Sequence, residues 1–128
     1  MEQCVRVLIA DDQVYVRQGL QALLTVWPEI EVVGTGEYGI ETVKLVEKCQ
    51  PHVTLMDIPL RVSAVSVADR LGSLETIRLI KSRWPQIRIV MLMMYTALGA
   101  AALDAGADAF LLKGCPAEAL RHAILKTV

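Results

Sequence analysis

The sequence predicts an α/β fold, a doubly wound five-stranded parallel sheet with helices on both faces. Five short apolar runs alternate with five segments in which apolar residues recur at helical spacing. The third run, from Val53 to Asp57, is mostly apolar until its final carboxylate, which is typical of a central strand buried on both faces. Alternating strands and helices favour a parallel sheet, and right-handed crossovers then limit it to a doubly wound topology.

The individual elements are predicted from the local pattern and from the residues that interrupt it. Proline ends the first and third helices, and glycine ends the fourth. Apolar residues recur at helical spacing in the first two helices, beginning with Val14 and Ile40. The expected strands are residues 5–10, 30–34, 53–57, 87–93 and 109–112, and the expected helices are residues 14–27, 37–49, 73–84, 96–105 and 116–126.

Composition indicates a single domain over residues 1–128. The chain is 54% hydrophobic and 21% charged, so it can bury a sizeable core. Its net charge of −1 argues against direct nucleic-acid binding and against attraction to an anionic membrane. The three scattered cysteines follow no disulfide or metal pattern and suit a reducing cytosol. Because there is neither a signal-peptide pattern nor a long enough apolar run, we expect a cytoplasmic protein without a membrane segment.

Charged residues follow three of the predicted strands. Asp11 and Asp12 follow the first, Asp57 ends the third, and Lys113 follows the fifth. Since the carboxyl ends of parallel strands share one edge of the sheet, these residues are expected to converge there. Three carboxylates would repel one another without a cation, and Mg²⁺ prefers such oxygen ligands.

The same residues suit phosphoryl chemistry. A carboxylate can act as a nucleophile toward phosphorus, and a lysine supplies a point charge for a phosphoryl oxygen. Taken singly, each of these residues is more often a turn, a cap or a solvated charge, so the hypothesis depends on their joint occurrence. The set predicts formation of an acyl phosphate at Asp57, with Mg²⁺ as the cofactor.

Three segments resemble the receiver domain of two-component response regulators. They are residues 7–12, residues 55–57 and the run Gly-Ala-Asp-Ala-Phe-Leu-Leu-Lys at 106–113, and residues 74–78 resemble the third receiver helix. The resemblance covers essentially the whole chain and implies a flavodoxin-like receiver fold. The 106–113 run is most similar to receivers that precede a helix-turn-helix domain of the NarL/LuxR type.

The resemblance implies a role for each matching residue. It makes Asp57 the phosphoacceptor and Lys113 the contact to the phosphoryl group. It implies that Phe110 is the switch aromatic. Around Mg²⁺, the ligands implied are Asp11, Asp12, Asp57 and the backbone carbonyl of Pro59.

Three features depart from the family pattern. Met93 occupies the usual Ser/Thr switch position, and a methionine cannot donate the hydroxyl hydrogen bond; Thr96, three residues later, is the alternative donor. The Met-Pro pair expected after the phosphoacceptor is missing, because Pro59 comes too early, and about eight extra residues lie within 60–71. The fourth helix is shorter than usual and rich in alanine.

These departures leave more than one function open. The first hypothesis is a receiver that accepts a phosphoryl group on Asp57 from a sensor histidine kinase and signals to an output domain, with transcription as the expected output. Its only catalysis is self-directed. The second is a degenerate receiver that acts as a phosphorylation-independent interaction or dimerisation module, which Met93 favours. The third, a flavin-binding domain, lacks a phosphate-binding loop. The oligomeric state stays open, with the final helix as one candidate surface for a homodimer.

Overall fold

The computed structural model describes residues 4–37, 39–57, 73–93 and 99–126. Strands and helices alternate along the described chain. They are β1 (Val5–Ala10), α1 (Val14–Thr25), β2 (Ile30–Gly36), α2 (Ile40–Cys49), β3 (Val53–Asp57), α3 (Ser73–Arg83), β4 (Arg88–Met93), α4 (Gly99–Ala105), β5 (Ala109–Leu112) and α5 (Ala117–Leu125). All neighbouring strands are parallel, in the order β2-β1-β3-β4-β5. The predicted doubly wound α/β fold is confirmed.

The strand order places β3 at the centre of the sheet, and every residue of β3 is buried. Side chains alternate across the sheet, so each face has its own hydrophobic cluster. The first cluster lies against α2, α3 and α4, and its helix residues include Val43, Val46, Ile77, Ile80, Ala102 and Ala105. The second lies against α1 and α5, and its helix residues include Leu24, Leu120 and Ile124. A central strand covered on both faces has to be apolar along its length, which explains the composition of β3.

The first residues of two helices are apolar but largely exposed. Val14 and Ile40 belong to the apolar spacing that predicted these helices, and they are 48% and 51% exposed. Val14 is the first residue of α1 and Ile40 the first of α2, and each comes a few residues after a strand has ended. The helical spacing did identify positions further along each helix that are buried, such as Leu24, Val43 and Val46.

The amino-terminal edge of the sheet is held by a polar contact between α3 and the loop that precedes β5. Asp108 accepts a hydrogen bond from the Ile89 backbone N–H at 2.8 Å. It also forms an ion pair with Lys81 at 3.1 Å. Gly106 has a φ of 121°, a left-handed conformation that ends α4, and the Lys81 side chain packs beside it. These contacts set where β5 begins, and therefore where Lys113 emerges at the opposite edge.

Within the described part of the chain, no helix is long and apolar enough to span a membrane.

Candidate functional site

The carboxyl ends of β1 and β3 bring three carboxylates together. β1 and β3 are paired in the sheet, so the residues at their ends are neighbours. Asp11, Asp12 and Asp57 each offer an oxygen within 4.8 Å of the others. The Lys113 ammonium lies 2.9 Å from Asp57 Oδ1 and 3.3 Å from Asp11 Oδ2. The four residues at the predicted strand ends therefore form one cluster at one edge of the sheet.

Lys113 reaches this cluster from a strand that is not adjacent to β3. β5 pairs with β4, and β4 pairs with β3. The backbone N–H of Lys113 donates to the carbonyl oxygen of Met93 at 2.7 Å, which continues the pairing of the two strands by one residue. From this anchored backbone the long side chain extends past the end of β4 to Asp57. A shorter cationic side chain on β5 would not reach across the intervening strand.

Burial sets the electrostatics of the cluster. Asp57 is 7% exposed and Asp11 is 2% exposed, whereas Asp12 lies at the surface. Burial raises the pKa of the Asp57 carboxyl from 3.8 to about 6; the Lys113 hydrogen bond opposes this, and the negative charge of Asp11 adds to it. Burial also works to lower the pKa of the Lys113 ammonium, but the hydrogen bond and charge of Asp57 outweigh it, so that pKa lies above its usual value. Near neutral pH, Asp57 and Lys113 are therefore both charged.

The oxygen atoms of Asp11 indicate whether a cation fits. Asp11 Oδ1 accepts the backbone N–H of Gln13 at 2.9 Å. Asp11 Oδ2 is buried and, among the described residues, has no hydrogen-bond partner, although the Lys113 ammonium lies 3.3 Å away. A buried carboxylate oxygen without a donor, next to two further carboxylates, fits a small hard cation such as Mg²⁺. Pro59, whose backbone carbonyl was predicted as a ligand, lies outside the described residues.

The two predicted switch residues contact one hydrophobic cluster. Met93 is 2% exposed and belongs to the first cluster together with Met91. Phe110 is half-buried and packs against the same cluster. Its ring lies so close to α4 that a Cβ added at Gly99 would be 2.7 Å from Phe110 Cζ. Thr96 and the extra residues within 60–71 lie outside the described residues.

Two residues at the site were missed from the sequence. Gln13 Oε1 accepts a hydrogen bond from the Lys113 ammonium at 3.2 Å, and the Arg17 guanidinium donates to the Asp11 carbonyl oxygen at 2.7 Å. One feature of the sequence could have pointed to Gln13. It follows Asp12 directly and occupies the N-cap of α1, a position that usually takes a capping Ser, Thr, Asp or Asn. A glutamine there is free for another contact.

Comparison with known proteins assigns the family. The response regulator receiver domain matches residues 7–125. The transcriptional regulatory protein LnrK of Bacillus subtilis is 33% identical over 123 residues, which cover 94% of this chain and 52% of that protein. The chain thus spans about half the length of this curated relative.

Solved structures agree with the sequence comparison. The response regulator domain of Thermotoga maritima CheB superposes with a TM-score of 0.83 at 27% identity, covering 98% of this chain and 96% of that chain. A two-component response regulator of the LuxR family from an Aurantimonas species gives a TM-score of 0.82 at 25% identity, covering 97% and 84% of the two chains. The relatives thus include LuxR-type response regulators. The match spans both sequence and fold, and the chain belongs to the receiver-domain family of response regulators.

Proposed function

We propose that this chain accepts a phosphoryl group on Asp57 from a sensor histidine kinase and transmits that event to an output domain. The observation that carries the proposal is the contact of 2.9 Å between the Lys113 ammonium and Asp57 Oδ1, beside the carboxylates of Asp11 and Asp12. It unites a buried nucleophile, a cation for the phosphoryl oxygens and a set of oxygen ligands for a metal. The family membership supports the same role.

In the proposed reaction, an Asp57 oxygen attacks the phosphorus of a phosphohistidine. The new bond joins oxygen to phosphorus, the phosphorus–nitrogen bond breaks, and the imidazole leaves with the electron pair. Because the pKa of Asp57 is about 6, the carboxylate is mostly ionised at neutral pH and can act as the nucleophile. Lys113 then binds a phosphoryl oxygen and stabilises the negative charge that develops there. Hydrolysis of the acyl phosphate returns Asp57 to its starting state, so the chemistry is self-directed and the chain is not an enzyme toward other substrates.

The proposed metal ligands are Asp11, Asp12, Asp57 and the backbone carbonyl of Pro59. Asp11 Oδ2, which has no hydrogen-bond donor among the described residues, supports this assignment. When bound, Mg²⁺ would neutralise the charge of the carboxylates and of the transferring phosphoryl group. The ion pairs of Lys113 with Asp57 and Asp11 bring one positive charge to a cluster of three carboxylates, which is why we propose the metal as a cofactor.

One observation favours a second candidate function, that of a receiver with a weakened response. Met93, at the usual Ser/Thr switch position, is buried in the core and has no hydroxyl to donate. Phosphorylation of Asp57 then lacks one of the family's contacts for moving β4 and the proposed switch aromatic, Phe110. If phosphorylation causes no response at all, the chain is a phosphorylation-independent module for protein interaction or dimerisation.

We further propose the surroundings in which the chain works. Residues 1–128 form one receiver domain of a cytoplasmic protein, and the output domain, DNA-binding by analogy with the LuxR-type relatives, lies outside this chain. The receiver itself makes no nucleic-acid or membrane contact. The proposal includes a homodimer, with α5 as one candidate surface.

The proposal is tested by intact-protein mass spectrometry after incubation with acetyl phosphate, with and without Mg²⁺. Wild type should gain one phosphoryl adduct that depends on Mg²⁺, and Asp57→Asn should abolish the adduct without unfolding the protein. Asp104→Asn, which changes an exposed aspartate on α4, is the matched control and should behave as wild type. A folded wild type that gains no adduct would make the interaction module the better account.

A further inference from the structure

The Lys113 ammonium has a third oxygen near it besides those of the two carboxylates. Asp57 Oδ1 lies at 2.9 Å, Gln13 Oε1 at 3.2 Å and Asp11 Oδ2 at 3.3 Å. Gln13 and Lys113 are 100 residues apart in the chain, so only the folded sheet brings them together. An ammonium group has three N–H donors and no acceptor, and the carboxamide oxygen takes one of the three.

The backbone of Gln13 is fixed independently of this side-chain contact. Its N–H donates to Asp11 Oδ1 at 2.9 Å, and its carbonyl accepts the Arg17 N–H at 3.0 Å in the first turn of α1. Its φ of −91° and ψ of 114° are extended, and its side chain does not cap the helix. The Arg17 guanidinium holds the Asp11 carbonyl as well. The carboxamide is therefore presented to Lys113 from a loop that is already immobilised.

The chemistry of a carboxamide suits this position. A lysine side chain has a flexible four-carbon stem, and its ammonium is attracted to both buried carboxylates. A further acceptor restricts its direction, and a neutral one does so without adding a fourth negative charge to a site that already contains three carboxylates. The contact thus favours a single position of the ammonium in the resting protein.

We propose that Gln13 is a positioning residue that holds the Lys113 ammonium in place to meet the phosphoryl oxygens as Asp57 accepts the group. This inference rests on the proposed function and adds a residue to it. Because the ammonium acts on charge that develops during transfer, Gln13 contributes to the maximal rate of phosphorylation and not to the affinity for the phosphoryl donor.

The test compares phosphorylation rates with acetyl phosphate at saturating Mg²⁺. Gln13→Met keeps the length of the side chain and removes the acceptor. It should lower the maximal rate about threefold to tenfold, the equivalent of one typical hydrogen bond, with KM unchanged. Gln18→Met, an exposed glutamine of the same helix, is the matched control and should match wild type.

A double-mutant cycle separates positioning from a general disturbance of the loop. If Gln13 acts through Lys113, Gln13→Met should cause no further loss in a Lys113→Met background. An equal loss in that background would overturn the inference, as would a Gln13→Met rate equal to wild type.

A second readout distinguishes failure of this inference from failure of the proposed function. If wild type accepts no phosphoryl group, the proposed function fails, and the contact is judged by the ¹⁵N signal of the Lys113 ammonium. Gln13→Met should shift or broaden that signal, whereas Gln18→Met should leave it unchanged. An unchanged signal in Gln13→Met would overturn the inference whatever the phosphorylation result.

Discussion

The buried carboxylate of Asp57 is expected to destabilise the metal-free protein. Its pKa is raised from 3.8 to about 6, chiefly by burial, so the folded state favours the protonated form more than the unfolded state does. A shift of about two pKa units corresponds to about 3 kcal/mol against folding once the group is ionised. Asp57→Asn removes this charge and keeps the shape of the side chain. In EDTA near pH 7.5, we expect the variant to be more stable by about 2 to 3 kcal/mol.

The sign of the pH dependence follows from the same shift. The pKa of Asp57 is higher in the folded state than in the unfolded state, so the penalty is absent below about pH 4, grows as the pH rises, and is complete above about pH 6. The stability difference between Asp57→Asn and wild type should therefore shrink to roughly half near pH 5 and nearly vanish near pH 4. At neutral pH, Mg²⁺ should reduce the stability difference between Asp57→Asn and wild type, because it binds the folded wild type and stabilises it by mass action.

The assay is urea unfolding of both proteins in EDTA over this pH range, and at neutral pH with Mg²⁺. Asp104→Asn is the control for removing an exposed carboxylate, and it should stay within about 0.5 kcal/mol of wild type. Asp57→Asn that is no more stable than wild type in EDTA at neutral pH would refute the reasoning, since the carboxylate would then be well compensated. If Asp57→Asn is as much more stable than wild type at pH 4 as at neutral pH, the gain comes from packing and not from removal of the charge.

Three further changes test other parts of the site. Lys113→Met should raise the pKa of Asp57 in the metal-free protein, because it removes both a hydrogen bond and a positive charge, and should slow phosphorylation; a carboxyl titration by NMR measures the first effect, and an unchanged midpoint would contradict it. Met93→Thr should enlarge the spectral change that accompanies phosphorylation, because it restores a hydroxyl donor at the end of β4; equal changes in the variant and wild type would mean that the response has another route. Gly99→Ala should lower stability by about 1 to 2 kcal/mol, because the added methyl meets the Phe110 ring; urea unfolding measures this loss, and an unchanged midpoint would show that the ring moves freely.

Much of the fold was predictable because its causes are local along the chain. Apolar periodicity distinguished strands from helices, and the almost continuous apolar run of β3 identified a strand covered on both faces. The edge at which Asp11, Asp57 and Lys113 emerge also followed, because the carboxyl ends of parallel strands share one edge. The burial of Val14 and Ile40 was less predictable, since it depends on which parts of the fold cover the ends of the helices.

The order of the elements, the central position of β3 and the charged residues at the strand ends could all be predicted from the sequence. How those residues are arranged became clear only in the folded protein. Lys113 reaches past β4 to Asp57, one oxygen of Asp11 has no hydrogen-bond donor among the described residues, and Gln13 contacts Lys113 across 100 residues of chain. The physical reason is that periodicity and strand ends are properties of neighbouring residues. Side-chain partners depend instead on strand order, register and the lengths of the loops, which are set only when the whole sheet has assembled.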